Sequence, residues 1–349
     1  MKSIYIDNFE IKQGGKVFII AELSANHNGS LQTALDTIDA AKKAGADAIK
    51  LQTYQADTIT IDCDNENFQI KGGTLWDGKT LFELYQEAYT PWEWHKELFE
   101  KAREVGLICF SSPFDPSAVD FLEELNVPAY KIASFEITDI PLIKFTAAKG
   151  KPVIISTGIA ELDDIKLAID ACRSEGNDQI ILLKCTSSYP APLELANMNT
   201  IPDMRQRFNI LIGLSDHTLG STVPVVAASL GACVIEKHII LDKEIGGPDA
   251  AFSMDFLEFK QMVDDVRKAE KSLGLVSYEL SPKVKENKRF SRSLYIVKDV
   301  KKGEILDEDS LRSIRPGNGL HPKHFSELLG KTVNKDVSRG TPMSWDLVN

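Results

Sequence analysis

Cysteine is scarce in this sequence, and its spacing argues against a disulfide framework. The five residues, Cys63, Cys109, Cys172, Cys185 and Cys233, are odd in number, far apart and without a C-x-x-C pair. Disulfide scaffolds and paired-cysteine zinc sites need even numbers or closer spacing. Most of the five lie in apolar runs such as LICF and GACVI, so we expect buried free thiols and a reducing, cytoplasmic setting.

Long apolar runs and an excess of positive charge are also missing. No stretch approaches the roughly 20 apolar residues of a membrane-spanning helix, and the polar opening MKSIYIDNFEIKQGG does not resemble a secretory signal. Lys and Arg total 40 against 51 Asp and Glu, which gives a net charge of −11. That balance argues against non-specific nucleic-acid binding, which needs clustered cations. We therefore expect no membrane and no nucleic-acid partner, while a locally basic site for a small anion stays compatible.

Eight short apolar runs are present, and segments of helical period separate most of them. In chain order they are VFIIAEL, DAIKLQ, LICFSSP, AYKIASF, PVIISTG, IILLKCT, ILIGLSD and CVIEKH. Runs of this kind are typical of strands buried on both faces of a parallel sheet. The clearest predicted helix lies between the first and second runs, with Ser30 as N-cap and Gly45 as C-cap. The pattern predicts an α/β fold, a (β/α)8 TIM barrel; a doubly wound sheet is the alternative.

The alternation of apolar runs and helical segments ends near residue 275. A chain of 349 residues is expected to contain one large and one small domain. We assign residues 1–275 to the barrel, 276–293 to a polar linker and 294–349 to a small β-rich domain. The small domain carries strand-like runs SLYIVKDV and KTVNKDV and turn signals such as Lys302-Gly303.

Polar residues end every apolar run, which favours a closed barrel with one shared mouth, since barrel chemistry lies at the carboxyl ends of the strands. The candidates are Glu22, Lys50, Gln52, Ser112, Lys131, Ser134, Glu136, Ser156, Ser187, Ser215, His217 and His238. Lysines supply point charges and hydroxyls supply directional donors, so the set predicts a phosphate and carboxylate site. A single serine at a strand end more often begins a loop or caps a helix.

Two histidines follow neighbouring predicted strands, His217 and His238. Two imidazoles are fewer ligands than catalytic zinc usually has, so they predict a loosely held Mn²⁺ or Mg²⁺ with waters; a hydrogen-bonded structural pair is the alternative. His95, His321 and His324 follow no strand and are expected on the surface, as three residues without a site role; His27 stays open.

Two carboxylates at strand ends, Glu22 and Glu136, are candidates for general acid–base work or for holding sugar hydroxyls. The rival interpretation is ion pairing with Lys50 or Lys131. Glu236 shares a strand face with a candidate metal ligand and is expected to be a supporting group inside the barrel rather than a catalyst.

The ordered motifs IIAELSANHNGS, AIKLQTY, CFSSPFD, AYKIASFE, IISTGIA, KCTSSYP, GLSDHT and IEKH resemble the family of phosphoenolpyruvate-dependent sialic acid synthases along essentially the whole chain. The C-terminal segment with RPGNGL resembles the antifreeze-like (SAF) domain that these enzymes carry. Within the family, KGGTLWDGKTLFELYQEAYTPWEWH and KIASFE resemble the pseudaminic acid branch.

The resemblance implies roles for individual residues. His217 and His238 would bind the metal. Phosphoenolpyruvate would be held by Lys50, Ser112, Lys131, Ser134, Ser156, Ser187 and Ser215. The sugar would be faced by Glu22, Gln52, Glu136, Tyr189, Asp249 and Arg315. The implied reaction joins phosphoenolpyruvate to 2,4-diacetamido-2,4,6-trideoxy-altrose, with water adding at C2 and phosphate leaving by C–O cleavage.

Three rival functions remain open from the sequence. An N-acetylneuraminate or legionaminate synthase would use the same chemistry on another sugar. A Schiff-base pyruvate aldolase would use Lys131 or Lys50 as the nucleophile. A sugar-binding protein without activity would not need the full set of lysines, hydroxyls and histidines.

Two further expectations concern access to the mouth. Residues 71–80, KGGTLWDGKT, follow the second barrel strand and are expected to help select the sugar through Trp76, whose alternative role is packing under the loop. The polar linker and the small second domain, which buries little surface alone, predict a domain-swapped homodimer in which Arg315 of one chain reaches the other chain's barrel.

Overall fold

The structure, a computed structural model, describes residues 3–349 and divides the chain into two compact units. The first unit ends at Gly274 and the second spans Leu275–Asn349. Each unit has its own apolar core.

A short antiparallel hairpin precedes the barrel. It consists of β1 (Ile4–Ile6) and β2 (Phe9–Ile11), two strands that lie outside the eight apolar runs. Their isoleucines cluster with barrel residues such as Phe18 and Phe110. The hairpin therefore closes the amino-terminal end of the barrel with hydrocarbon and leaves the other end for polar groups.

Eight parallel strands then close into a barrel in which β10 pairs with β3. They are β3 (Phe18–Glu22), β4 (Ala48–Thr53), β5 (Ile108–Pro113), β6 (Tyr130–Ile132), β7 (Val153–Ser156), β8 (Ile180–Cys185), β9 (Leu211–Asp216) and β10 (Val234–His238). Seven lie within their predicted runs, and β4 extends one residue beyond its run, to Thr53. The (β/α)8 fold is therefore confirmed and the doubly wound alternative is wrong.

Helices follow the barrel strands and, apart from the two short helices that come directly after β4, cover the outside of the barrel. They are α1 (Leu31–Ala44), α2 (Ala56–Ile59), α3 (Leu81–Ala88), α4 (Trp92–Glu104), α5 (Pro116–Glu124), α6 (Ile140–Ala147), α7 (Leu162–Ser174), α8 (Thr200–Phe208), α9 (Thr222–Ser229) and α10 (Phe256–Leu273). The caps of α1 are as predicted: the Ser30 hydroxyl accepts from the Thr33 N–H, and Gly45 takes a left-handed conformation with φ 95°.

Side chains alternate between the helices and the barrel interior along each strand. On β3, Ile19 and Ala21 pack with the helical layer, whereas Phe18 and Ile20 point inward. Glu22 comes next in the inward series and is buried. Each strand thus begins with inward hydrocarbon and ends with inward polar groups, which places the polar residues together at one end.

The second unit is small and mostly irregular. It contains α11 (Pro282–Glu286), β11 (Ser293–Ile296), β12 (Leu311–Ile314) and α12 (Phe325–Leu328), with β11 and β12 antiparallel. The run KTVNKDV was expected to be strand-like, but it makes only isolated bridges through Thr332, Val333 and Val337. Residues 275–292 are exposed throughout.

Two further sequence-based expectations have structural outcomes. Over residues 3–349, no helix combines the length and the apolar character that crossing a bilayer demands. All five cysteines are free, four of them buried and Cys63 half-buried.

Candidate active site

The carboxyl end of the barrel gathers the predicted polar residues into one buried layer. Lys50 is 3% exposed and Lys131 is 2% exposed, and Ser112, Ser156 and Ser215 are buried beside them. Because parallel strands end at the same rim, residues from β4, β5, β6, β7 and β9 meet there. This convergence creates a site rich in lysine and hydroxyl groups inside an acidic protein.

Lys50 forms a buried ion pair with Glu22 on the adjacent strand and donates to Ser112 Oγ at 3.1 Å. Gln52 Nε2 donates to the other oxygen of Glu22 at 3.1 Å and to Ser24 Oγ at 2.9 Å. Burial raises the pKa of Glu22 to about 7, although Lys50 opposes the shift. The contacts of Glu22 are therefore those of an ion-pair partner. Its raised pKa also makes this carboxyl suited to proton transfer near neutral pH.

Lys131 pairs with Glu236 rather than with Glu136. Its Nζ donates to Glu236 Oε1 at 3.1 Å, and Ser215 Oγ donates to the same oxygen at 3.1 Å. Burial lowers the pKa of Lys131, and Glu236 opposes that shift. Burial alone would raise the pKa of Glu236, but the two lysines outweigh it and the net shift is downward. Glu236 is thus a charged support for Lys131, as expected of an interior group.

The hydroxyl of Ser134, in the loop after β6, meets the hydroxyl of Ser187, in the loop after β8. The Ser134 and Ser187 oxygens are 2.5 Å apart, and Cys185 Sγ lies 3.8 Å from Ser187 Oγ. A methyl group at Gly158 would lie 2.0 Å from Ser187 Oγ and 2.5 Å from Ser134 Oγ. Only glycine allows the backbone to approach this closely, so the loop after β7 packs directly onto the serines.

Several buried polar atoms at this end lack a hydrogen-bond partner within residues 3–349. They include Ser156 Oγ, Glu136 Oε2, Glu236 Oε2 and His238 Nδ1. Buried polar groups are normally paired, so the concentration of such atoms at the carboxyl end of the barrel indicates a ligand-binding site. Burial also raises the pKa of Glu136 to about 7.

The two candidate metal ligands are close together. The ring centroids of His217 and His238 are 5.4 Å apart. His217 Nδ1 lies 3.1 Å from the Thr186 carbonyl oxygen, and donation there leaves Nε2 free to bind. Burial lowers the pKa of His238 well below its usual value, which keeps its imidazole neutral.

The donor set fits a metal held by two imidazoles and completed by water or substrate. His238 Nδ1 is one of the partnerless buried atoms, and Asp249 Oδ2 lies 3.7 Å from it. In the described part of the chain, no three His, Cys, Asp or Glu side chains are grouped to hold a metal by themselves. A closed structural zinc site is therefore not formed here.

A cavity of about 420 Å³ opens from this layer. Its polar side is formed by Gln52, Ser134, Glu136, His238 and Asp249, and Tyr189 also lines it. Its other wall comes from the long segment between β4 and α4 and includes Ile59, Ile70, Trp76, Leu81 and Leu84. The apolar wall was not predicted, because its residues are spread over two short helices and the loop between them and form no continuous run.

Trp76 lies on this wall and is half-buried. Its Nε1 donates to the Pro248 carbonyl at 3.0 Å, and its ring centroid is 5.8 Å from that of Tyr189. The loop therefore reaches the chain that follows β10, next to Asp249. This position is compatible with the expected role in sugar selection, which stays a prediction.

One histidine was placed wrongly from the sequence. His95 was expected on the surface, but it is 0% exposed on α4 and lies 2.8 Å from Thr53 Oγ1. The reason is that α4 packs this face against β4 and β5. His27 is also buried, so its ring does not face solvent, while His321 is exposed and His324 is half-buried beside Trp345. Burial lowers the pKa of both His27 and His95 to about 4, so these two imidazoles are neutral near physiological pH.

One residue near the site was not among the predicted site residues, and one predicted site residue lies in the second unit. Cys185, expected only as a buried thiol, lies 3.9 Å from His217 Nδ1. Its position at the end of β8 could have identified it as a residue of the site. Arg315 belongs to the second unit and is exposed there. Its contact with a sugar stays a prediction.

Comparison with known proteins adds sequence and fold relationships. The profile of the NeuB family matches residues 37–278, and that of the SAF domain matches residues 291–349. Pseudaminic acid synthase of Campylobacter jejuni is 51% identical over 335 residues, covering 96% of this chain and 97% of that protein. N,N'-diacetyllegionaminic acid synthase of Legionella pneumophila is 38% identical over 336 residues, covering 94% of each chain.

A solved structure resembles the whole chain. The crystal structure of the spore coat polysaccharide biosynthesis protein spsE from Bacillus subtilis superposes with a TM-score of 0.68 at 35% identity. The match covers 100% of this chain and 99% of that one.

Proposed function

This chain belongs to the NeuB family, and on that premise we propose that it is a pseudaminic acid synthase. It condenses phosphoenolpyruvate with 2,4-diacetamido-2,4,6-trideoxy-altrose and water to give pseudaminic acid and phosphate. The observation that carries the reaction class is the convergence of two buried lysines and several partnerless polar atoms at the carboxyl end of the barrel, where Glu136 and His238 also line the cavity. The choice of sugar is supported by the 51% identity to the Campylobacter jejuni enzyme.

Phosphoenolpyruvate carries a carboxylate and a phosphate, and the basic layer matches both. Lys50 and Lys131 provide the positive charge, and Ser112, Ser156 and Ser215 provide directional donors. The lysines are already held by Glu22 and Glu236. Their orientation is therefore set before substrate arrives, which is the condition for electrostatic stabilisation of a transition state.

The reaction forms a carbon–carbon bond and a carbon–oxygen bond to water, and it breaks the carbon–oxygen bond to phosphate. C3 of phosphoenolpyruvate attacks C1 of the open-chain sugar, and the aldehyde oxygen gains a proton and becomes a hydroxyl. Water adds to the cation-like C2, and phosphate leaves with its bridging oxygen as the C2 keto group forms; the two protons of the water pass to the aldehyde oxygen and to the departing phosphate. Glu22 and Glu136 are suited to move these protons, because burial holds the pKa of each at about 7.

We propose that His217 and His238 hold a divalent metal, Mn²⁺ or Mg²⁺. When bound, such an ion supplies a Lewis acid that polarises the sugar aldehyde. The neutral imidazole of His238 and the Thr186 contact that frees His217 Nε2 support this assignment. Asp249 and Tyr189 line the cavity beside them and would orient the sugar.

We also propose a cytoplasmic, domain-swapped homodimer in which Arg315 of one chain contacts the sugar in the partner's barrel. Five free cysteines suit a reducing compartment. Residues 276–292 of the predicted linker are exposed and form a connection long enough to let the second unit dock elsewhere than on its own barrel.

The sugar assignment is tested by offering the purified enzyme phosphoenolpyruvate with each of three aldehydes: the altrose derivative, its manno-configured legionaminate counterpart and N-acetylmannosamine. Product masses and phosphate release should favour the altrose derivative. Preferential use of either other sugar replaces the proposed activity with legionaminate or N-acetylneuraminate synthesis.

The metal assignment is tested by binding as well as turnover. Metal analysis after dialysis against Mn²⁺ should find about one ion per wild-type chain and none per chain with both His217→Ala and His238→Ala, while circular dichroism stays unchanged. Equal Mn²⁺ content in the two proteins would refute the assignment.

A further inference from the structure

We infer that the apolar wall of the cavity is the subsite for the C6 methyl group of the sugar. This wall, the apolar pouch, is formed by Ile59, Ile70, Leu81 and Leu84. The inference rests on the proposed function, because it assigns one end of the substrate of that reaction to a set of residues that the reaction chemistry does not use.

The pouch and the reacting groups line the same cavity. His238, Glu136 and Asp249 line it together with the four aliphatic side chains. All four pouch residues come from the single segment between β4 and α4: Ile59 ends α2, Ile70 lies in the following loop, and Leu81 and Leu84 belong to α3. One segment, separate in the chain from the three polar residues, therefore provides the pouch.

The pouch residues are not ordinary core. Ile59, Ile70 and Leu81 are only half-buried, and Leu84 alone is fully buried. Aliphatic side chains that leave apolar surface exposed in a concave site are typical of ligand pockets. Covering them with a substrate methyl group removes apolar surface from water, at about 25 cal/mol per Å².

The chemistry of the polar side fixes the direction of the sugar. C1 must meet C3 of phosphoenolpyruvate, which the lysines hold, so the aldehyde lies at the polar end. C6 is the carbon farthest along the chain from C1 and therefore lies toward the pouch. A methyl group there needs no hydrogen bond, and the hydrocarbon side chains offer none. A C6 hydroxyl packed against these four side chains would lose its water without gaining a partner from them.

The pouch is held in shape before any sugar binds. Asp77 accepts the backbone N–H groups of Gly73 and Thr74 at 2.8 and 2.9 Å. Thr80 and Glu83 cap the start of α3 reciprocally: the Thr80 N–H donates to the glutamate at 2.8 Å, and the Glu83 N–H donates to Thr80 Oγ1 at 3.2 Å. Such a preorganised wall discriminates without the entropic cost of ordering a loop.

This assignment separates sugars by one feature. It favours a 6-deoxy sugar over a 6-hydroxy sugar such as N-acetylmannosamine, and it does not distinguish the altro from the manno configuration. Apolar pockets reject an added hydroxyl by up to about 100-fold, so we expect the wild-type preference to lie between about 10-fold and 100-fold.

The test uses a matched pair of substrates: 2,4-diacetamido-2,4,6-trideoxy-altrose and the same sugar with a hydroxyl at C6. The ratio of their kcat/KM values is measured for wild type, Leu81→Gln and Ile70→Thr. Each variant provides a hydrogen-bonding group in the pouch and should lower the deoxy preference about 10-fold. The control is Leu167→Gln, the same change at a leucine of α7 that is 55% exposed, which should leave the ratio unchanged.

The outcomes separate this inference from the proposed function. If wild type condenses the altrose sugar but both variants, folded by circular dichroism, keep the wild-type ratio within about twofold, the pouch assignment is overturned and the activity stands. If wild type uses neither altrose sugar, the proposed function fails first. Ile70→Thr lies outside the helices, so it keeps the test open should Leu81→Gln not fold.

Discussion

A buried ion pair between the two histidine-bearing strands gives the most demanding test of the structure. Lys237 and Asp216 are register partners on β10 and β9, and their side chains are 0% and 2% exposed. Lys237 Nζ lies 2.5 Å from Asp216 Oδ2 and also donates to the Thr218 carbonyl. The Thr218 N–H returns a bond to Asp216 Oδ1 at 3.0 Å. The pair thus fixes the chain on both sides of His217.

Removing one partner leaves the other charge buried without compensation, which costs about 3–5 kcal/mol in comparable cases. Lys237→Met and Asp216→Asn should each lower the free energy of unfolding by about that amount. For domains of this size 1 kcal/mol corresponds to about 2–4 °C in Tm, so a loss of about 6–20 °C is expected. The double variant leaves no buried charge and should recover much of the loss.

The assay is urea unfolding of the four proteins of this double-mutant cycle, followed by circular dichroism. The control is Lys260→Met, which removes an exposed pair with Asp264 on α10; exposed pairs at this spacing contribute about 0.3–0.5 kcal/mol. A Lys237→Met protein as stable as the control, or a double variant no more stable than the singles, would refute the reasoning.

Three other predictions follow from the same site. Burial raises the pKa of Glu136 from 4.5 to about 7, so between these pH values the folded state holds a proton that the unfolded state has released. The protonated carboxyl therefore contributes fully to stability below pH 4.5, and this contribution is lost as pH rises to about 7. The loss in the free energy of unfolding is about 3 kcal/mol at most. The urea midpoint of the Glu136→Gln variant should therefore fall less between pH 5 and pH 8 than that of wild type. Equal declines in the two proteins would contradict this prediction. In ¹⁸O water the released phosphate should carry no label by mass spectrometry, because water adds to carbon; labelled phosphate rules out C–O cleavage. Mixed dimers of Arg315→Ala and His238→Ala chains, each inactive alone, should regain activity, since one site is then whole; verified mixed dimers that stay inactive exclude the swap.

The fold was predictable because its signals are local. Each barrel strand begins with apolar residues, and a single segment such as residues 30–45 contains both its cap residues and its apolar face. The weaker elements escaped prediction for the same reason. The strand Leu311–Ile314 is only four residues long with one fully buried side chain, and KTVNKDV has strand-like residues that find no continuous partner.

The membership of the site was also predictable, since parallel strands of a barrel end at one rim whatever their exact register. Lys50, Lys131, His217 and His238 could therefore be grouped by sequence position alone. The resemblance to sialic acid synthases then supplied the roles, and the family match confirmed the resemblance.

Only the tertiary structure decided which of these groups touch. Glu22 pairs with Lys50 on the neighbouring strand, whereas Lys131 reaches across the barrel to Glu236. Glu136 Oε2 is left without a hydrogen-bond partner among residues 3–349. The burial of His95 and the assembly of the apolar pouch were equally invisible in the sequence. Strand periodicity determines which face a side chain occupies, but a pairing across the barrel depends on strand register, closure and loop packing, which are properties of the whole chain.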